Sequence, residues 1–305
     1  MENKVVVLGS LNVDTTFHIT QMPEPGETIK AKSKTTSAGG KGANQAVAAA
    51  RSGADVSFIG QVGDDGNGEF MVNELKENNI HTDKVKITET VGTGSAVILL
   101  DEKGQNSIMV YGGSNQSMTA DDLSDCEDLI ASADILISQF EISQAVILAA
   151  FKMAKKHGVM TILNPAPAER LIDELSNYVD LIVPNETESA KLTGIPVKNR
   201  ESMDLNAEKF KAFGIQNLII TAGHHGAYFN TPEKNGFVPA FKVHAVDTTA
   251  AGDTFIGALS FQLNSDLSNI EDALVYAQKA SSLTVQRMGA LPSIPTADQI
   301  QRQYE

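Results

Sequence analysis

The feature that most constrains this chain is an alternation of strand-like and helix-like apolar patterns that sets in at Val56 and continues through most of its length. Residues 56–60, 135–138, 160–163, 181–183 and 218–221 are short apolar runs suited to buried strands. Between or beside them, residues 69–78, 144–157 (closed by Gly158), 188–192 and 202–213 carry helical spacing. Residues 5–8 add an earlier strand that stops at Gly9. This order predicts an α/β protein with a mainly parallel sheet covered by helices on both faces, and it places ligands at the carboxyl ends of the strands. The polar residues that follow those ends are Glu141, Asn164, Asn185 with Glu188, and the segment from Gly223 to Gly226.

Three other segments break the alternation. Residues 91–100 and 105–111 flank Asp101-Glu102-Lys103-Gly104 as the arms of a hairpin would, and residues 15–19 and 28–36 are also β-like. Together they predict a small sheet apart from the main body, a lid formed by segments 12–19, 28–37 and 91–111 of a single 305-residue unit. With 42% hydrophobic and 20% charged residues the chain can bury a sizeable core.

A net charge of −14 without a basic run argues against nucleic acid or an anionic membrane as a partner. No apolar run approaches the roughly 18 residues of a membrane span, and the N-terminal run is too short for a signal peptide. Cys126 is the only cysteine, so no intrachain disulfide or cysteine metal cluster can form. These traits predict a cytoplasmic protein.

The local chemistry concentrates in four places. Ala250, Ala251 and Gly252 precede an apolar helical run, so the backbone N–H groups at that helix start are open to an anion, with Asp253 beside them. Asp253 is a candidate base, or a plain helix N-cap. The turn Gly39-Gly40-Lys41-Gly42-Ala43-Asn44 departs from a P-loop, because Thr35 and Gly42 stand where a glycine and a hydroxyl are needed. It is either a place where a ligand meets backbone, Lys41 and Asn44, or a flexible turn. Asn12 and Asp14 alternate with apolar neighbours and can offer an amide and a carboxylate to hydroxyl groups, or form an Asx turn. Asn185 and Glu188, one helical turn apart, suit either a metal-bound water or phosphate, or a capping box.

Five motifs in order, Gly9-Ser10-Leu11-Asn12-Val13-Asp14, Gly39-Gly40-Lys41-Gly42-Ala43-Asn44-Gln45-Ala46, Asn164-Pro165-Ala166-Pro167-Ala168, Pro184-Asn185-Glu186-Thr187-Glu188 and Asp247-Thr248-Thr249-Ala250-Ala251-Gly252-Asp253-Thr254, make the chain resemble the PfkB-type carbohydrate kinase family. The resemblance covers nearly the whole length. It implies the family's three-layer fold and ATP-dependent phosphorylation of D-ribose at its 5-hydroxyl. Deoxyribose or another small sugar is the alternative substrate, and an inactive sugar-binding protein the alternative class.

By the same resemblance Asn12, Asp14, Gly40, Lys41, Asn44 and Glu141 hold the sugar, Asp253 takes the hydroxyl proton, and Ala250, Ala251 and Gly252 form an anion hole. Asn185, Thr221, Gly223, Gly226, Gly252 and Gln278 lie at the nucleotide, with Glu188 organising Mg²⁺. Potassium sits among Asp247, Thr249, Thr284, Arg287, Gly289 and Ser293. A homodimer through the lid sheet completes the expectation.

Overall fold

The computed structural model describes residues 3–304. At its centre lies β1 (Lys4–Leu8), buried from Val5 onward. Side chains alternate across a strand, and this run is thereby shared between two cores. Val5 and Val7 belong to one apolar cluster, Val6 and Leu8 to the other. A strand covered on both faces needs apolar side chains in both directions, which is why the segment reads as an unbroken run.

The chain continues through β2 (Asn12–His18), β3 (Ser33–Gly39), α1 (Lys41–Ser52), β4 (Asp55–Gly63), α2 (Gly66–Glu77), β5 (His81–Thr88), β6 (Gly94–Leu100) and β7 (Asn106–Tyr111). Two short helices, α3 (Ser114–Ser117) and α4 (Glu127–Ala131), lead into β8 (Ile135–Gln139), α5 (Gln144–Lys156), β9 (Met160–Asn164), β10 (Leu181–Ile182), α6 (Glu186–Thr193) and α7 (Arg200–Ala212). The last elements are β11 (Asn217–Thr221), β12 (Gly226–Asn230), β13 (Asn235–Pro239), α8 (Ala251–Gln262), α9 (Ile270–Thr284) and α10 (Ala297–Tyr304).

The main sheet has nine strands in the order β13-β12-β11-β10-β9-β8-β1-β4-β5. Pairing is parallel from β11 through to β5 and antiparallel where β12 joins β11 and β13 joins β12. Helices α1, α8 and α9 pack on one face through Val47, Phe255 and Leu274, and α5 and α7 cover the other through Phe151 and Phe210. The edge strands β5 and β13, and β12 beside β13, were not expected from the apolar pattern. β5 reads HTDKVKIT and is exposed or half-exposed along its length, so it has no buried run to betray it.

A second sheet runs β3-β2-β6-β7. Its β6–β7 hairpin pairs antiparallel and β2–β6 pairs parallel. Residues 28–32 lie outside its strands, because regular pairing begins at Ser33. Among the described residues no helix is long and apolar enough to cross a membrane.

Candidate active site

The site grows from the junction between the two sheets. β3 ends at Gly39 and α1 begins at Lys41, so Gly40 alone turns the chain, at a φ of 90° that favours glycine. α1 then lies close against α8. At Gly257 a side chain would collide with the backbone of Gln45 and Ala49, so the missing Cβ permits the approach. The contact brings Asn44 and Gln45 over the first turn of α8.

Ala250, rather than Asp253, is the N-cap of α8, held in the left-handed region at φ 59°. Holding a residue with a Cβ there costs about 1 kcal/mol, a local strain at the start of the helix. Asp253 sits inside the first turn, almost fully buried, and the capping alternative falls away. Asn44 Nδ2 donates to Asp253 Oδ2 at 2.9 Å, and Gln45 Nε2 donates to Oδ1 at 3.0 Å. The carboxylate is thus aimed by two consecutive amides of α1.

The residues expected at the sugar converge on the same place. Asn12 and Asp14 stand on β2 rather than in an Asx turn. Asn115 Nδ2 donates to Asn12 Oδ1 at 2.8 Å, which leaves the Asn12 amide nitrogen to face outward. The Asp14 carboxylate occupies the space a side chain at Gly39 would take. Burial, and then the charge of Glu141, push the Asp14 carboxyl from its ordinary 3.8 up to about 6. Glu141 Oε2 accepts from Ser10 Oγ at 2.6 Å and from the Lys41 backbone N–H at 2.9 Å. The Lys41 ammonium is held charged chiefly by Asp253, against the opposing effect of burial, with Glu141 and Glu188 adding to it. Asn44 Oδ1 is buried without a partner, and a hydroxyl donor would satisfy it.

A cavity of about 180 Å³ lies under the start of α8, lined by Lys41, Glu188, Ala250, Ala251, Gly252 and Asp253 among others. It shares Asn185, Thr221, Ala251 and Gly252 with a second cavity of about 320 Å³. That second cavity is lined by all six residues expected at the nucleotide: Asn185, Thr221, Gly223, Gly226, Gly252 and Gln278. Phe255 and Ser281 also line it, and the sequence pattern did not single them out. A larger hollow of about 600 Å³ lies beside Arg170, Lys191 and Phe213, but it holds none of the expected site residues. Within the anion cradle the Ala251 N–H donates to the Thr248 carbonyl at 3.2 Å. The N–H groups of Gly252 and Asp253 belong to the first turn and lack intrahelical acceptors.

Asn185 and Glu188 do form a capping box: the Glu188 N–H donates to Asn185 Oδ1 and the Asn185 N–H donates to Glu188 Oε2, each at 2.8 Å. The carboxylate nonetheless borders the smaller cavity. Burial raises the Glu188 carboxyl, the Asn185 N–H and Lys41 oppose the rise, and Asp253 adds to it. In the expected potassium loop, Asp247 Oδ1 accepts from the Thr249 N–H and hydroxyl, and Oδ2 accepts from the Gly289 N–H at 2.8 Å. Burial acts to raise the Asp247 carboxyl, yet these hydrogen bonds prevail and hold it low. The Arg287 N–H donates to the Thr284 carbonyl and the Arg287 side chain reaches Gln299, while the backbone link to Asp247 is made between them, at the Val285 carbonyl. Ser293 Oγ donates to the Ala290 carbonyl, and no hydrogen bond among the described residues ties it to Asp247.

The family model described as pfkB family carbohydrate kinase matches residues 2–297. The chain belongs to that family. This pfkB-family chain is 46% identical over 301 residues to a ribokinase of Staphylococcus aureus, covering 98% of itself and 99% of the relative. It is 50% identical over 298 residues to a bifunctional ribokinase/ribose-5-phosphate isomerase A of Fructilactobacillus sanfranciscensis, covering 97% of itself but only 55% of that longer protein. Its fold superposes with a TM-score of 0.92 on Arabidopsis thaliana ribokinase complexed with ribose and ATP, at 33% identity over 99% of this chain and 98% of that one. The pfkB-family fold is therefore the ribokinase-like one, a large mostly parallel sheet with a separate four-stranded sheet.

Proposed function

We propose that this chain is an ATP-dependent kinase that phosphorylates D-ribose at its 5-hydroxyl, giving D-ribose 5-phosphate and ADP. The observation that carries the reading is the position of Asp253, a buried carboxylate facing a cavity whose rim holds the phosphate cradle and, through Lys41 and Asn44, the sugar groups. Asn12, Asp14, Gly40, Lys41, Asn44 and Glu141 bind the sugar hydroxyls. Asp253 accepts the 5-hydroxyl proton as that oxygen attacks the γ-phosphorus. In the cradle of Ala250, Ala251 and Gly252 the free N–H groups of Gly252 and Asp253 meet charge on the transferring phosphoryl, and Lys41 adds a cation beside it. Asn185, Thr221, Gly223, Gly226, Gly252 and Gln278 hold the nucleotide.

Glu188 suits Mg²⁺ held through water, since its carboxylate borders the phosphate-side cavity and burial penalises its bare charge. The ion would supply positive charge that neutralises the ATP phosphates when bound. Asp247, Thr249, Thr284, Arg287, Gly289 and Ser293 form the proposed potassium loop. Asp247 fits that role as a carboxylate kept ionised within a frame of backbone groups. Cytoplasmic work on ATP and a homodimer joined through the lid sheet belong to the same reading. The exposed apolar residues Ile108, Met109, Val110 and Tyr111 of β7 are the surface a second copy would cover.

The test is ribose-dependent ADP release with Mg²⁺, compared with deoxyribose and fructose, with and without potassium. A site that bonds the 2-hydroxyl rejects the sugar lacking it. Ribose is expected to give the highest kcat/KM, and a clear preference for either other sugar would overturn the substrate.

A further inference from the structure

We propose that Gln45 and Gln139 are positioning residues, a line of ordered amides that fixes the aim of the Asp253 carboxylate. The inference rests on the kinase reading and concerns how its base is held. Gln45 is completely buried, and its amide is bonded at every position that matters. Nε2 donates to Asp253 Oδ1 at 3.0 Å and to Asn164 Oδ1 at 3.2 Å, so both of its hydrogens are placed. Oε1 accepts from Gln139 Nε2 at 2.7 Å.

Each neighbour sets the polarity of the next. Asn164 presents its oxygen to Gln45 because its own Nδ2 donates to the Val183 carbonyl at 2.9 Å. Asn164 Oδ1 and the Asp253 carboxylate both accept, which obliges Gln45 to turn its nitrogen toward them and its oxygen toward Gln139. A flipped Gln45 amide would set Oε1 against the Asp253 carboxylate and the Asn164 oxygen at once, and two nitrogens against each other at Gln139. Gln139 is also completely buried, and its own Oε1 has no partner. Its bond to Gln45 therefore sets its polarity. That oxygen and the Gly42 backbone occupy the space a side chain at Gly9 would need, and this accounts for glycine directly after β1.

Neither glutamine lines the smaller cavity that Asp253 faces or the larger one that adjoins it at Ala251 and Gly252. They are walled off from the spaces for the phosphoryl group and nucleotide, and their reach to the reaction passes through the base. A base must stand within about 2.6–3.2 Å of the proton it takes, and a misplacement of about 1 Å costs roughly a hundredfold in rate. The line of amides supplies that placement from three strand ends, those of β8, β9 and the segment after β10.

The test uses Gln45→Met, Gln139→Met and the double variant, with steady-state kinetics, calorimetric affinities for ribose and MgATP, and melting temperatures. Gln45→Met is expected to lower kcat about a hundredfold and Gln139→Met about tenfold, with both affinities and both KM values within about threefold. The double variant is expected to be no slower than Gln45→Met, because the two act in series. Kinetic parity of Gln45→Met with the wild type, a parallel loss of affinity and kcat, or additive losses in the double variant would each overturn the proposal. Should Gln45→Met not fold, Gln139→Met and the isosteric Gln45→Glu carry the test, the latter placing a carboxylate against Asp253 and expected to lose kcat with affinities retained. A wild-type chain that binds ribose and ATP but releases no ADP would fail at the kinase reading, which these variants distinguish from a failure of the positioning line.

Discussion

The two sheets meet at one site but are built on opposite terms. All five residues of β8 are buried, whereas all six of β7 are exposed. In the body, polar groups at strand ends such as Gln139 and Asn164 are enclosed and hydrogen-bonded into one arrangement. In the lid, Asp14 brings a carboxylate whose charge changes near pH 6, on a sheet whose outermost strand leaves four large apolar residues more than half exposed. The difference teaches a division of labour: the body encloses and orders its polar groups, and the lid carries a titratable carboxylate and an exposed apolar surface, the features on which the proposed sugar contact and second copy rest.

The largest expected effect lies in the body. Leu136→Ala, in the middle of β8, should lose about 2–5 kcal/mol of stability in denaturant titration, because its layer is closed on every side. A loss below about 1 kcal/mol would break the contrast.

Asp14 comes next. Its folded carboxyl titrates at about 6 against 3.8 unfolded, so the folded state binds the proton more tightly. Stability of the wild type should therefore fall as pH rises through about 4 to 6. Asp14→Asn escapes that penalty and should melt a few degrees above the wild type at pH 8, roughly the size a shift of this kind produces in melting scans, with the gap closing below about pH 4. The same substitution should weaken ribose binding, a trade of stability for function read by calorimetry.

The smallest expected effect on folding belongs to β7. Ile108→Lys should change the unfolding free energy of the isolated chain by no more than about 0.5 kcal/mol, since the side chain is half exposed. Sedimentation velocity should nevertheless move from dimer to monomer. A wild type that is already monomeric would leave the lid's apolar face without its proposed occupant.

Much of this was legible in the sequence, for physical reasons. Strands buried on both faces must be apolar throughout, so β1, β8 and β9 announced themselves, and polar residues directly after them had to lie at the rim. Edge strands obey no such demand, which hid β5 behind its charged alternation and β13 behind its short, mostly exposed run, while the buried β12 was hidden because Gly226 and Asn230 interrupt its apolar pattern. The site was legible where residue type dictates chemistry, as at Asp253, Lys41 and Glu188. Several readings stayed open until distances were known, two of them at the phosphate side. Asp253 proved not to be the N-cap of α8, while Asn185 and Glu188 do form a capping box and still border the phosphate-side cavity. Gln45 was hidden inside its own motif, because an amide in an alanine-rich helix looks like filler until its partners, 94 and 208 residues away, are in place.

The central claim is that the body holds Asp253 as the base for a phosphoryl transfer to ribose. The direct measurement is turnover of Asp253→Asn beside calorimetry of its ribose and MgATP binding. The account predicts a fall in kcat of about a thousandfold, within the range a general base contributes, with both affinities within about threefold. Turnover close to that of the wild type would contradict it.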